Sequence, residues 1–313
     1  MTNTKEPLYY PTQKLLIGAD ADGQRIDNYL MSQLKGVPRS HIYRILRKGE
    51  VRVNGGRKKP VYKLEKDDLV RVPPIKIDPV EVINVPERVY QQLLAEVLFE
   101  NERLMVINKP SGMAVHSGTG VSFGVIEAMK QHHPASEKLE LVHRIDRDTS
   151  GCLLLAKDRK TLNALQNGFR ARDMQKTYLA LIKGKLPAKS VVVIKPLEKR
   201  EISGENMVVV SPEGKSAHSE FILQRRFQDA CLVKVDIKTG RTHQIRVHAK
   251  SLGQPLAGDN KYGDDDFNRY CKKYGGNRLF LHAAELGFEL EGELFQFQAP
   301  MPDELQAVLD KLP

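Results

Sequence analysis

Apolar residues along this chain recur in two rhythms, and the change of rhythm divides it. Over residues 25–34 they fall four apart, at Ile26, Leu30 and Leu34, which predicts a short helix. Val37-Pro38 interrupts it. Ser40 then suits an N-cap for a second helix running to Lys48, and Gly49 suits its end. Ile42, Ile45 and Leu46 fall on the inner side of that helix, leaving Arg39, Tyr43, Arg44, Arg47 and Lys48 outside. Val51 to Val53 and Leu69 to Val72 read as strands, with a turn at Asn54-Gly55-Gly56. Residues 73–96 hold four prolines and no clear period, and read as a linker. From Leu104 onward, continuous apolar runs and period-two alternation dominate. Residues 104–107, 152–156, 176–183, 231–237 and 277–284 predict strands, and 288–290 with 295–297 a hairpin. Helices are expected after Asp158 (Leu162, Leu165, Phe169), from a Thr242 cap to a Gly253 stop (Ile245, Ala249, Leu252), and over 302–312. The expectation is α+β: a tail over 1–21, a small unit over 22–74, a linker over 75–96 and a larger unit over 97–313.

Charge sharpens this division. The 313 residues carry 49 Lys and Arg against 39 Asp and Glu, a formal +10. Residues 22–74 alone hold 13 basic and 6 acidic side chains, +7 from about a sixth of the chain. Such asymmetry points to a dedicated polyanion-binding module rather than a generally basic surface. The three cysteines, Cys152, Cys231 and Cys271, are far apart and form no CxxC, so neither a zinc site nor a disulfide framework is indicated. No apolar run reaches membrane-span length and the first residues do not read as a signal peptide, so a soluble, cytoplasmic protein is expected.

Within the larger unit, the stretch LVHRIDRDTSGCLLLAK over 141–157 sets two apolar runs around a polar turn. Asp146 is placed at the end of the first strand, flanked by Arg144 and Arg147, which suits a nucleophile as well as a turn cap. Arg246 lies beside the apolar stripe of its helix and needs a carboxylate partner, for which Asp146 is the candidate. Tyr178 shares a strand face with Ala180 and Ile182, as a core residue or as an aromatic platform for a base. Lys109 and His116 flank a Gly-containing loop suited either to a plain surface or to phosphate contact. His243 and His248 are five apart, which does not match the spacing of a helical metal pair, so no metal is expected.

The segment RIDNYLMSQLKGVPRSHIYRILRKGEVRVNG resembles the S4 RNA-binding domain. The segments NKPSGMAVHSG, LVHRIDRDTSGCLLLAK, QKTYLALIKG and TGRTHQIRVHAKSLGQPLAGDNKYG, in this order, resemble the RluA family of RNA pseudouridine synthases, with Ile145 where the family usually has Leu. The resemblance implies a mixed, mostly antiparallel sheet with a cleft across its middle. It implies an isomerase that converts specific uridines of large-subunit (23S) ribosomal RNA to pseudouridine with no cofactor and no metal; a monomer is expected because no segment reads as a dimer surface, and no membrane partner is expected. It gives Asp146 the essential carboxylate, Tyr178 the role of stacking ring and base, Arg246 the pairing with Asp146, Arg144 contact with the RNA and Ile245 the lining of the base pocket. Whether the aspartate attacks the sugar, attacks the ring or removes a sugar proton stays open. Arg39, Arg44, Arg47 and Lys48 are the expected RNA contacts of the S4-like unit; a non-enzymatic RNA-binding or ribosome-assembly factor is the alternative, and an RNA glycosylase or nuclease is a third.

Overall fold

The computed structural model describes residues 8–77, 84–118, 120–134 and 138–313. The chain divides into two compact units between Asn84 and Val85.

The first unit contains β1 (Leu8–Tyr10), β2 (Gln13–Leu16), α1 (Ile26–Gln33), α2 (Arg39–Lys48), β3 (Arg52–Val53), β4 (Leu69–Val72) and β5 (Ile75–Ile77). Ile26 and Leu30 of α1 and Ile42, Ile45 and Leu46 of α2 pack with Val53, Val70, Val72 and Ile75 of the strands. Each such side chain contributes about 1.5–3 kcal/mol by leaving water. Gly49 ends α2 at φ 69°, a left-handed position where the absence of a Cβ removes the steric penalty. Ser40 is not the N-cap; Pro38 takes that position, where its fixed φ and missing N–H suit a helix start.

Two expectations about the boundaries are corrected. The expected tail contains β1 and β2, which pair antiparallel with β5 and β4. The expected linker contains β5 and, in the second unit, helix α3 (Glu87–Ala95), which follows Pro86 and buries Tyr90 and Leu93. The prolines precede this helix rather than interrupt it, so they read as breakers although the helix tolerates them. Residues 78–83 lie outside the described residues.

The second unit continues with β6 (Val97–Glu100), β7 (Leu104–Lys109), α4 (Val125–His132), β8 (Glu140–Leu141), β9 (Ser150–Ala156), α5 (Arg159–Ala171) and β10 (Gln175–Lys183). It goes on through β11 (Ser190–Ile194), β12 (Leu197–Ile202), β13 (Glu205–Val210), β14 (His218–Arg226), β15 (Ala230–Ile237), α6 (Gln244–Ser251) and α7 (Asp265–Lys273). It closes with β16 (Leu281–Leu290), β17 (Glu293–Gln298) and α8 (Asp303–Lys311). One mixed sheet runs in the order β11-β14-β15-β10-β16-β9-β7-β6, with β17 against β16 and β8 against β9, while β12 and β13 form a separate hairpin. Among the described residues every strand pairing is antiparallel except β9 with β16, which meet in parallel at Ser150–His282 and Gly151–Ala283.

Both sheet faces are covered, which explains the continuous apolar runs. On β9, Leu153 and Leu155 pack toward α3 and α4, while Cys152, Leu154 and Ala156 pack toward α5. On β10, Ala180 and Ile182 pack with Ile245 and Ala249 of α6, and Leu181 faces α7 and α8. Asp158 caps α5 as expected, accepting from the Thr161 N–H at 2.8 Å. Thr242 does not cap α6: the N-cap is His243, at φ 54°, and the Gln244 side chain accepts from the Arg241 N–H at 3.1 Å instead. Gly151 sits at φ 111°, and a Cβ there would collide with the Ala283 backbone, so the parallel junction requires glycine.

Candidate active site

Asp146 is not on a strand. It lies in the loop 143–149 between β8 and β9, and that loop is tied on several sides. The Thr149 N–H donates to the Asp146 carbonyl at 3.1 Å, so backbone closes the turn. The Gly112 N–H donates to the Arg147 carbonyl and Arg147 Nε to the Gly112 carbonyl, both at 2.9 Å, and Ser111 Oγ donates to the Asp148 carbonyl at 2.7 Å. Lys109 completes the knot. Its Nζ donates to the carbonyls of Pro110 (2.7 Å), Met113 (2.7 Å) and Arg147 (3.0 Å). The residue is fully buried, so the expected contact with RNA is corrected: Lys109 is an internal strut. Burial pulls its ammonium down to about 7, against the attraction of Asp148, while three carbonyls accept its three N–H bonds.

On the other side of the loop, His143 turns inward. Its Nε2 accepts from the Leu154 N–H at 3.1 Å and its ring stacks on Phe169 at 4.8 Å. Burial, with Lys176 nearby, pushes this imidazole down to about 3, so it is a neutral acceptor. Beyond the loop, Ser150 Oγ receives Arg278 Nη2 at 3.0 Å and contacts His282 Nδ1 at 2.9 Å, while His282 Nε2 meets the Ala299 carbonyl at 3.1 Å. The carbonyl can only accept, so Nε2 bears the proton and Ser150 donates to Nδ1. Asp146 is thus presented from a loop whose flanks are fixed by backbone, serine and histidine bonds.

The first turn of α6 faces Asp146. Arg246 Nη1 lies 3.7 Å from Asp146 Oδ2, so the two expected partners are within ion-pair range. Arg246's main partner is a different carboxylate, however. Its Nε and Nη2 bind Asp259 Oδ2 and Oδ1, both at 2.7 Å, in a buried bidentate pair. The N–H groups of Lys261 and Tyr262 each donate to Asp259 Oδ1 at 2.9 Å. Burial disfavours both charges, but the paired hydrogen bonds outweigh it, leaving the Asp259 carboxyl lowered and the Arg246 guanidinium raised. Asp259 leaves Arg246 with one nitrogen, Nη1, directed to Asp146. His243 Nε2 lies 3.9 Å from Asp146 Oδ2, and His243 Nδ1 meets Tyr262 Oη at 2.8 Å. Asp259, His243 and Tyr262 carry no signal of these contacts in the local sequence pattern. The demand of a buried arginine for a carboxylate was legible, but the loop holding Asp259 read only as polar.

Asp146, His243, Ile245 and Arg246 line a small cleft of about 80 Å³ together with Tyr178 and Arg144. Tyr178 is half-buried on β10, as its strand register predicts, and burial with the nearby Asp146 charge pushes its phenol up. Ile245 is 4% exposed, so it both packs into the core and lines the cleft. Arg144 is exposed, with Nη1 at 3.4 Å from His116 Nε2. His116 is also exposed and is held by the Ser117 carbonyl at 2.7 Å, next to a loop that Glu127 pins through Ser117 and Gly124. His243 and Arg246 also line a larger cleft of about 1030 Å³.

In the first unit, Arg39, Arg44, Arg47 and Lys48 are all exposed along α2. Tyr43 was expected outside with them, but its Oη donates to Asp27 at 2.7 Å and joins α2 to α1. Arg25 also binds Asp27 and holds its carboxyl at about 2. Among the described residues, no cluster of three His, Cys, Asp or Glu could hold a metal ion, and no helix is long and apolar enough to cross a membrane.

Comparison with known proteins matches residues 103–251 to the RNA pseudouridylate synthase family and residues 24–70 to the S4 domain. The ribosomal large subunit pseudouridine synthase C of Pasteurella multocida is 50% identical over 303 residues, covering 95% of this chain and 93% of the relative. The protein of the same name from Escherichia coli K12 is 50% identical over 310 residues, covering 96% and 97%. Among solved structures, human RNA pseudouridylate synthase domain containing 4 is similar with a TM-score of 0.59 and 26% identity, over 72% of this chain and 95% of that one. A cleft carboxylate facing a buried arginine and a tyrosine, an S4 domain ahead of it, and relatives half identical over nearly their whole length together identify the chain as a member of the RNA pseudouridine synthase family.

Proposed function

We propose that this enzyme converts specific uridines of large-subunit ribosomal RNA to pseudouridine, with Asp146 as the catalytic aspartate. The observation that carries the assignment is the meeting of Asp146, Arg246 at 3.7 Å and Tyr178 in one small cleft. The ribosomal substrate is supported by the names of the half-identical relatives. The basic face of the S4 domain, with Arg39, Arg44, Arg47 and Lys48 exposed, supports RNA held through its phosphates.

The chemistry asks little of the residue set and a great deal of its placement. The N1–C1′ bond of uridine breaks, the uracil turns, and a C5–C1′ bond forms. The C5 proton is lost and N1 gains one, so the product has the mass of the substrate and no co-substrate is consumed. A glycoside hydrolase needs a second carboxylate to activate water. Here Asp146 faces cationic and hydrogen-bonding groups instead, which suits an isomerase that must not release free uracil. Burial of Tyr178 keeps it a neutral phenol before substrate arrives. Losing the C5 proton restores conjugation of the ring, and Tyr178 is the candidate to take it by type and position, its neutral Oη accepting that proton as it passes its own on, the net transfer ending at N1. The target must leave the RNA stack, at a cost of a few kcal/mol. Arg144 and His116, exposed at the cleft rim, suit filling the gap and holding the strand.

The test is Asp146→Asn in the full-length protein. Pseudouridine formation in the large-subunit RNA is expected to fall below detection, with RNA affinity and melting temperature preserved. Conversion at the wild-type rate refutes the assignment. Restoration by this variant of everything a deletion strain lacks favours a non-enzymatic assembly factor, and release of free uracil or cut strands favours a glycosylase or nuclease.

A further inference from the structure

His243 stands outside every role assigned above, yet its geometry is tightly specified. Tyr262 is 2% exposed, and its Oη accepts from the Val208 N–H at 2.9 Å. The phenol proton therefore needs an acceptor of its own, and His243 Nδ1, at 2.8 Å, provides it. That fixes the tautomer. Nδ1 carries no hydrogen, and Nε2–H points into the cleft. It stops 3.9 Å from Asp146 Oδ2, too far for a hydrogen bond. The ring cannot slide closer without losing Tyr262, because His243 is also the N-cap of α6 with its backbone fixed at φ 54°.

A gap of 3.9 Å between a fixed donor and a carboxylate selects what can fill it. One oxygen making hydrogen bonds of about 2.8 Å to both groups closes the triangle at an angle of roughly 90°. That oxygen must accept from Nε2–H and donate to the carboxylate, which among the groups of an RNA substrate a hydroxyl does. A uracil carbonyl cannot donate and the uracil N3–H cannot accept. Within an RNA chain, whose 3′ and 5′ oxygens are esterified, the 2′-hydroxyl is the one hydroxyl each ribose retains.

We infer that His243 and Asp146 together grip the 2′-hydroxyl of the target ribose, with Tyr262 as a positioning residue that holds the histidine tautomer. His243 is thereby a substrate-contacting residue that aligns C1′ and C2′ with the carboxylate and makes the site selective for ribose over deoxyribose. This deepens the proposed function and rests on the reading that the small cleft takes the target uridine.

The test uses two oligoribonucleotides spanning a mapped target uridine, one all-ribose and one with 2′-deoxyuridine at that position alone. Single-turnover conversion is measured for wild type, His243→Asn and Tyr262→Phe. Asparagine tolerates the left-handed backbone and shortens the donor's reach. His243→Asn is expected to lose about ten- to hundredfold on the ribose substrate and less than about threefold on the deoxy substrate, since the contact is already missing there. Tyr262→Phe is expected to lose less, again on the ribose substrate only. Equal losses on both substrates, or no loss on either, overturn the inference; equal losses include the case in which a water molecule fills the gap. If His243→Asn does not fold by circular dichroism, the Tyr262→Phe comparison decides in the same way. Failure of wild type to convert the all-ribose substrate instead counts against the proposed function.

Discussion

Asp259→Asn probes how Arg246 is aimed. Asp259 and Arg246 are 2% and 7% exposed, and the pair is bound through two 2.7 Å contacts. An asparagine there retains one acceptor oxygen. Its NH2 must then face either Arg246 Nη2 or the N–H groups of Lys261 and Tyr262, all of them donors. Disabling one partner of a buried pair costs about 3–5 kcal/mol, because the remaining charge is left uncompensated. For a unit of this size, each kcal/mol moves the melting point by about 2–4 °C, so a fall of about 6–20 °C is expected. Part of the charge can be recovered by a short turn of Arg246 toward Asp146, already 3.7 Å away. That turn would occupy the carboxylate the substrate needs. Turnover measured at about 15 °C, where the variant remains folded, should therefore fall at least about tenfold, with RNA affinity unchanged. The assays are differential scanning calorimetry and single-turnover pseudouridine formation. A variant that melts within about 2 °C of wild type refutes the reasoning, since no buried charge would then have depended on Asp259.

Other outcomes follow from the same geometry. Burial lowers the His143 imidazole to about 3, against about 6.5 in the unfolded chain, so between these values the unfolded state binds the extra proton and stability is lost as pH falls. His143→Asn, which keeps a neutral acceptor, should flatten the urea-denaturation curve of stability against pH from about 6.5 to about 3; an unchanged acid limb sinks the idea. Gly151→Ala should prevent soluble folding, because a Cβ at φ 111° meets the Ala283 backbone; a circular dichroism melt like that of wild type would count against it. The pair Arg44→Glu and Arg47→Glu should weaken RNA binding and lower the slope of log affinity against log salt by about 0.7–0.9 per lost phosphate contact, leaving Asp146 chemistry on bound RNA intact. A slope equal to that of wild type would remove α2 from the RNA surface.

Much of the fold could be read from local patterns. Helical spacing marked α1 and α2, a continuous apolar run marked β9, alternation marked β10 and β15, and Gly49 and Asp158 marked helix ends, because these signals are carried by neighbouring residues. The small strands at residues 8–16 could not be read. Their partners lie about sixty residues away at β4 and β5, and nothing in an isolated three-residue run announces such pairing. The site divides in the same way. Asp146, Tyr178 and Arg246 come together in one cleft, as their motifs implied. Lys109 was misread because a lysine in a Gly-containing loop reads as solvent-facing, and only the tertiary structure supplies three carbonyls to bury it. His243 and Asp259 were passed over for the opposite reason: each acquires its meaning from Tyr262 or Arg246, through contacts that loop composition does not encode.

The parallel meeting of β9 and β16 is only two residue pairs long, at Ser150–His282 and Gly151–Ala283. Everything on one side of it, β9-β7-β6, and everything on the other, β16-β10-β15-β14-β11, is stitched by longer antiparallel ladders. The sheet is therefore two stiff plates joined by a narrow weld, and the Asp146 loop enters the weld at Ser150. Tyr178 belongs to one plate and Asp146 hangs from the edge of the other. Their spacing therefore runs through that short junction, which the Ser150–His282 bond and the close approach of Gly151 to the Ala283 backbone hold. A substitution that displaces this junction is therefore expected to change the distance between Asp146 and Tyr178 while leaving both side chains, and both antiparallel ladders, intact.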